Sequence, residues 1–310
     1  MIIFEHVGKA FADVVAIDDL SLTIAEGEFV VVIGRSGSGK STTLKLLNRL
    51  VEHDSGRIVF AGDEIRRFKP EELRRRMGYA IQSIGLFPHW TVEQNIGTVP
   101  ELLGWPRARI RDRVTELMEL LDLAPETYRG RYPHQLSGGQ QQRVGVARAL
   151  AGDPAVLLMD EPFGSLDPVT RETLQQEIVR IHKASGKTIL FVTHDIDEAL
   201  RLATRIVLLD RGRVVQVGTA REILEQPATD FVSDFVGRGD IGIKLLGLDT
   251  VAAFVRRGES AAGDPIAISA SLREALSMLV ARRVDRLPVA DDDGRLVGVI
   301  ALADLAKPRP

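Results

Sequence analysis

Phe29-Val30-Val31-Val32-Ile33-Gly34-Arg35-Ser36-Gly37-Ser38-Gly39-Lys40-Ser41 is the stretch that decides the fold of this 310-residue chain. Its first part, Phe29 to Ile33, is wholly apolar, as suits a short strand covered on both faces. Glycines at 34, 37 and 39 come next and fit the spacing GxxxxGK[ST]. Leu44, Leu46, Leu47 and Leu50 then mark a helix. Glycines between a strand and a helix let the backbone curl so that successive amides face an anion, an approach that side chains would obstruct.

That arrangement predicts a nucleotide site. Gly34, Arg35, Ser36, Gly37, Ser38, Gly39, Lys40, Ser41 and Thr42 are the expected phosphate-binding residues. Lys40 would neutralise the β- and γ-phosphates, and Ser41 would offer a hydroxyl to Mg²⁺, which takes few protein ligands. Further along, Val156–Met159 reads as a buried strand that ends in Asp160 and Glu161 and is stopped by Pro162. Ligands of such sheets bind at the carboxyl ends of strands, which brings both acids beside the glycine loop. Asp160 would hold Mg²⁺ through water, and Glu161 would polarise an attacking water. His194 ends another strand, Ile189–Thr193, facing the same crevice, with Asp195 behind it as a helix N-cap. A γ-phosphate contact is expected of it. Gln82, where strand Gly78–Ile81 stops, is placed to reach Mg²⁺ or water. Phe11 has two readings, an aromatic stacked on adenine or a core side chain.

Leu136-Ser137-Gly138-Gly139-Gln140 is a second anion site. Ser137, Gly138 and Gly139 open a helical stretch, Gln140–Ala151, whose positive end their amides would present.

Outward from these motifs, strands Ile2–Val7, Leu20–Ile24, Arg57–Phe60, Gly78–Ile81, Thr188–Val192 and Ile206–Leu209 alternate with helices Val169–Ala184 and Ile196–Ala203. From about 88 to 151 the pattern is helical; Val114, Leu117, Leu120 and Leu121 share a stripe. This is a mainly parallel α/β core with a helical insertion. A hairpin turns at Asp210-Arg211-Gly212. Gly237-Arg238-Gly239-Asp240 reads as the start of a linker. A small α+β unit follows, with a strand near 266–268, a helix Leu272–Arg283, a hairpin at Asp291–Gly294 and a last helix Leu302–Ala306.

Composition narrows the class. With 43 acidic and 40 basic residues the net charge is −3, so there is no basic excess to attract nucleic acid or an anionic membrane. The chain has no cysteine, which excludes disulfides and thiolate metal sites. No apolar run approaches the length of a membrane span, and the N-terminus lacks a signal-peptide pattern. A cytoplasmic protein is expected, held at a membrane only by another chain.

Taken together, GRSGSGKS, Gln82, LSGGQ, MDEP, Ser165-Leu166-Asp167 and Val192-Thr193-His194-Asp195 resemble the ATP-binding subunits of ABC transporters over residues 1–237. The resemblance implies an α/β fold, a P-loop NTPase core of the ABC ATPase type with a helical insertion and an antiparallel β subdomain. It implies a homodimer packed head to tail with ATP sandwiched between the copies. Ser137, Gly138, Gly139 and Gln140 of one chain would then contact the ATP of the other, with Asp167 near the facing site. Glu161 and His194 would serve hydrolysis, Gln82 would serve Mg²⁺ and coupling, and Phe11 stands where the family usually has tyrosine.

Asn48–Gly56 and Ile81–Val92 resemble the quaternary-amine importers, which take up glycine betaine, choline or carnitine. That implies integral membrane permease subunits, an extracytoplasmic substrate-binding protein and a place on the cytoplasmic face of the membrane, with no nucleic acid partner. Import of another small solute and a non-transport ABC ATPase stay open as alternatives. After a linker at 238–263, residues 264–310 resemble a single CBS motif, with Leu287-Pro288-Val289, Gly298-Val299-Ile300 and Asp304. Ala301 replaces the hydroxyl residue of that motif, which leaves nucleotide binding, packing and dimerisation open for the tail.

Overall fold

Two long antiparallel strands, β1 (Ile2–Phe11) and β2 (Val14–Ile24), begin the chain. β3 (Phe29–Ile33) is buried along its whole length, and the glycine loop leads from it into helix α1 (Lys40–Leu47). β4 (Ser55–Phe60) and β5 (Asp63–Glu64) return to the first pair, completing an antiparallel sheet of order β2-β1-β4-β5. Helix α2 (Pro70–Arg75) and strand β6 (Met77–Ala80) follow. The computed structural model describes residues 1–81, 85–164 and 166–306, so Gln82 and Ser165 lie outside the described residues.

The helical insertion comprises α3 (Val92–Leu102), α4 (Arg107–Leu120), the short α5 (Pro125–Tyr128) and α6 (Gly138–Ala151). Ile110, Val114, Leu117 and Met118 bury one face of α4, the spacing of an amphipathic helix. The chain then re-enters the central sheet through β7 (Val156–Asp160), α7 (Pro168–Ser185), β8 (Thr188–Val192), α8 (Ile196–Leu202), β9 (Arg205–Asp210) and β10 (Arg213–Gly218). Strand order is β10-β9-β3-β8-β7-β6, and the five strands from β9 to β6 are parallel. Arg211 and Gly212 join β9 to β10 with φ of 47° and 77°, the two left-handed residues of a tight hairpin turn.

Alternate residues of β3 face two cores. Val30 and Val32 pack with Leu44 and Leu47 of α1, with Leu158, Leu190 and Val192, and with Phe4 and Ile24 of the antiparallel sheet. Phe29 faces the other side, its ring 6.1 Å from Phe191 and 5.3 Å from His182. Full burial of each such side chain contributes about 1.5–3 kcal/mol, so the strands form a rigid platform. Register then decides the site. Val192 of β8 pairs with both Val32 and Asp160, so the loops after β3, β7 and β8 leave the sheet at one level and one rim.

Contacts divide the chain into two units, Met1–Val217 and Gly218–Pro310. The second holds α9 (Ala220–Glu225), α10 (Asp230–Val236), α11 (Ile241–Leu246), β11 (Ile266–Ala267), α12 (Leu272–Arg282), β12 (Arg286–Ala290) and β13 (Leu296–Ala301). Its sheet runs β11-β12-β13, first parallel and then antiparallel. Within the stretch 238–263, read as a linker, α11 forms, and Leu246, Phe254 and Val255 pack on the apolar core of this unit. Arg221 of α9 grips Asp249 through two bonds of 2.9 and 2.8 Å. Leu302–Asp304 is a 3₁₀ turn in place of the expected helix to Ala306, and the Asp304 carboxylate accepts the Ala301 N–H at 3.1 Å.

Candidate nucleotide site

The glycine loop, the turn after β1 and the ends of β7 and β8 enclose a cleft of about 660 Å³. Gly39 has φ 102°, and a Cβ there would run into the main chain at Ala16 and the side chain of Ile17, so only glycine fits the entry to α1. Lys40 is 5% exposed and donates to the carbonyls of Gly34 and Arg35 at 2.8 and 3.0 Å. Burial pushes its pKa down, against the pull of Glu161 and Asp160. A cation held at the mouth of an amide-lined loop is what an incoming polyphosphate requires.

Phe11 lines this cleft with Val14, Val15 and Ala16, and it is 45% exposed. Its core-packing alternative is therefore set aside, and the cleft has an apolar wall for a ring to lie on. Ser36, Gly37, Gly39, Ser41 and Thr42 line the same space.

Across from the loop, Ser41 donates its hydroxyl to Asp160 Oδ1 at 2.7 Å. Burial raises the Asp160 pKa, opposed by the bonds from Ser41 and Tyr79 and by the charge of Lys45. Tyr79 is itself pushed up by burial and by its bond to this carboxylate. A hydroxyl beside a carboxylate is a hard-oxygen pair that suits Mg²⁺. Among the described residues no group of three or more His, Cys, Asp or Glu could cage a metal.

Glu161 and His194 also line the cleft, and His194 Nδ1 lies 3.1 Å from Glu161 Oε2. Glu161 adopts φ 45°, a left-handed backbone uncommon for a residue with a side chain. This kink ends β7, while the Glu161 N–H stays bonded to the Val192 carbonyl at 2.9 Å. Strain of this kind concentrates at functional sites.

Ser137 caps α6, accepting the Gln140 N–H at 3.3 Å, while Gln140 Oε1 accepts the Ser137 N–H at 3.0 Å. Residues 137–140 do not line the cleft of their own chain. Ser137 and Gly138 are exposed, so the amide-rich end of α6 is open to another molecule. Gly139 is different, since a Cβ there would overlap the Thr170 methyl on α7. Asp167 caps α7 through the Val169 and Thr170 N–H groups, both at 3.1 Å, and its bond with the Thr170 side chain is the main reason its pKa is low.

In the tail, Arg256 holds Asp304 through bonds of 2.8 and 2.7 Å and pairs its own main chain with Val299. Both Asp304 oxygens are thus engaged within the unit. Sequence reasoning missed Tyr79, Val14 and Val15. The two valines flank Phe11 across a turn and were legible as a hairpin; Tyr79 reaches Asp160 only because β6 lies beside β7.

Residues 17–164 match the family model described as ABC transporter, and residues 264–308 match the one described as CBS domain. The chain is 62% identical over 305 residues to the glycine betaine uptake system ATP-binding protein YehX of Escherichia coli, covering 98% of this chain and 99% of that protein. It is 48% identical over 303 residues to the glycine betaine/carnitine/choline transport ATP-binding protein OpuCA of Bacillus subtilis, covering 97% and 78%. Among solved structures, a bacterial ABC transporter cassette in dimeric form aligns with TM-score 0.65 and 35% identity, over 71% of this chain and 99% of that one. A dimeric cassette in a post-hydrolysis state, bound to ADP and Pi, aligns with TM-score 0.64 and 34% identity over 71% and 99%. No helix among the described residues is long and apolar enough to cross a membrane.

Proposed function

This chain belongs to the ABC transporter family as an ATP-binding subunit, and on that premise we propose that it hydrolyses ATP to drive uptake of a quaternary-amine osmoprotectant, such as glycine betaine, through a partner permease. The observation that carries the reading is the meeting of Lys40, the Ser41–Asp160 pair and the Glu161–His194 pair around one cleft. Phosphoryl transfer to water needs little covalent help from a protein; it depends on positioning and charge.

Lys40 would exchange the carbonyls of Gly34 and Arg35 for phosphate oxygens, with the loop amides completing the cradle. Phe11 would take the adenine ring. Ser41 and Asp160 would hold Mg²⁺, with Gln82 as a further ligand from outside the described residues. When bound, the ion supplies neutralisation of charge on the β- and γ-phosphates. Glu161 would accept the proton of the attacking water, and His194 would keep that carboxylate aimed while reaching the γ-phosphate.

A second copy would complete the site. The exposed Ser137-Gly138 end of α6 would meet the ATP of the facing chain, with Gly139, Gln140 and Asp167 behind it. The dimeric form of the similar cassettes supports this reading. The glycine betaine, carnitine and choline transport names of the similar subunits support the cargo and a permease partner; an extracytoplasmic substrate-binding protein would deliver the solute to that permease. The chain would then sit on the cytoplasmic face of the membrane.

The test is co-purification with the permease, reconstitution together with the extracytoplasmic substrate-binding protein, and uptake of labelled glycine betaine with choline and carnitine as competitors. ATP-dependent uptake is expected, with at least one competitor reducing it. A complex that hydrolyses ATP yet transports none of the three would overturn the assigned cargo.

A further inference from the structure

His194 is carried on a turn between β8 and α8 that a buried acid fastens from behind. Thr193, 2% exposed, donates its hydroxyl to Glu198 Oε2 at 2.6 Å and accepts the Asp195 N–H at 3.0 Å. Asp195 Oδ1 accepts the N–H groups of Asp197 and Glu198 at 2.8 and 3.3 Å, capping α8. The other Glu198 oxygen accepts Gln175 Nε2 of α7 at 3.2 Å, and Arg201 donates to Gln175 Oε1 at 3.2 Å. His194 thus stands between Thr193, whose hydroxyl bonds the Glu198 carboxylate, and Asp195, whose own carboxylate caps the main-chain N–H of Glu198.

The network reaches the reacting groups. A cavity of about 50 Å³ is lined at once by Glu161, His194, Thr193, Arg171 and Glu198. Glu198 is 7% exposed, and burial pushes its pKa up even against the bond from Thr193. A carboxylate is a costly filler for such a position, where an apolar side chain would pack without the desolvation penalty. The His194 side chain, by contrast, is 64% exposed, so its direction depends on the turn beneath it more than on packing around it.

We infer that Glu198 is a positioning residue for ATP hydrolysis, holding the Thr193–Asp195 turn so that His194 stays on Glu161. The inference rests on the roles proposed above for Glu161 and His194. Displacing a catalytic group by about 1 Å can cost about a hundredfold in rate, which makes a buried anchor worth its burial.

The experiment uses the full chain assembled with its permease and measures steady-state ATP hydrolysis and thermal unfolding for Glu198→Ala, Glu198→Gln, Thr193→Val and His194→Ala, and for Glu198→Ala combined with His194→Ala. Glu198→Ala and Thr193→Val are expected to lower kcat about tenfold or more while KM for ATP moves less than about threefold. Glu198→Gln keeps an oxygen for Thr193 but loses the acceptor that faces Gln175, so its kcat should lie between those of the parent and of Glu198→Ala. With His194 already removed, Glu198→Ala should change kcat by less than about twofold, because its effect passes through His194. An equal loss with and without His194 would show a general structural role and overturn the inference. So would an unchanged kcat in Thr193→Val, which also decides the matter if Glu198→Ala does not fold. If His194→Ala alone turns over at the parental rate, the role of His194 itself falls. An impaired His194→Ala beside an unimpaired Glu198→Ala removes only the positioning claim.

Discussion

His194 Nδ1 and Glu161 Oε2 are 3.1 Å apart although their strands are separated in sequence by all of α7, and the bond spans the gap between β7 and β8. It joins an exposed imidazole to a carboxylate that is 19% exposed, at the point where the left-handed Glu161 turns the chain out of the sheet. In the mechanism proposed above these two groups would act as one unit, the carboxylate taking the proton and the imidazole keeping its direction.

Glu161→Gln keeps the shape of the side chain and a hydrogen bond to His194, and removes the base. Turnover is expected to fall about 10²–10⁴-fold with nucleotide binding retained, so that an ATP-bound dimer accumulates. Hydrolysis assays with size-exclusion chromatography in ATP check this. Turnover near the parental rate would sink the base assignment.

The two glycines of the Leu136–Gln140 motif should separate on substitution. A Cβ on Gly138 meets open space, whereas one on Gly139 overlaps the Thr170 methyl. Gly139→Ala should therefore lose about 1–3 kcal/mol of stability, and Thr170→Ser, which removes that methyl, should restore most of it. Gly138→Ala should leave the urea midpoint of the parent nearly in place and lower ATP turnover, as the proposed use of these exposed amides by a second copy requires. Parental turnover in Gly138→Ala would count against the dimeric site.

His53 supplies a pH signature. It is 2% exposed, and neither ring nitrogen has a hydrogen-bond partner among the described residues. Burial pushes its pKa down, helped by Arg66 and opposed by Glu52, Glu64 and Asp54. A pKa lowered in the native state means stability that is full above the unfolded value of about 6.5 and is lost as pH falls, because the unfolded chain takes up a proton that the native state resists. His53→Gln lacks that titration, so its stability gap to the parent should narrow between about pH 8 and about pH 5.5. Urea midpoints at both pH values test this; a constant gap would contradict it.

Much of the site was legible because its signals are local. The run Phe29–Ser41, the acids after Val156–Met159 and the histidine after Ile189–Thr193 each declare strand, end and chemistry within a few residues. Asp195 was legible as a cap for the same reason, and it caps α8. The reading of 238–263 as a linker followed its glycines and charges, while Leu246, Phe254 and Val255 are too sparse to show periodicity yet pack on the core of the second unit. Tyr79 and the Gly139–Thr170 approach carried no local signal, since what each touches comes from another part of the chain, and Glu198 declared neither its burial nor its bond to Gln175 of α7.

The sequence by itself determined a phosphate-type strand–glycine loop–helix and a second capped helix start at Ser137, because backbone curvature and capping are set by neighbouring residues. Only the tertiary structure decided what stands opposite what. Placing β3 between β9 and β8, with β7 next, brings Ser41 to Asp160 and His194 to Glu161, and no spacing along the chain states that order. The reason is physical: strand order and register are settled by burying both faces of the sheet at once, a condition of the whole core that no single stretch of residues meets alone.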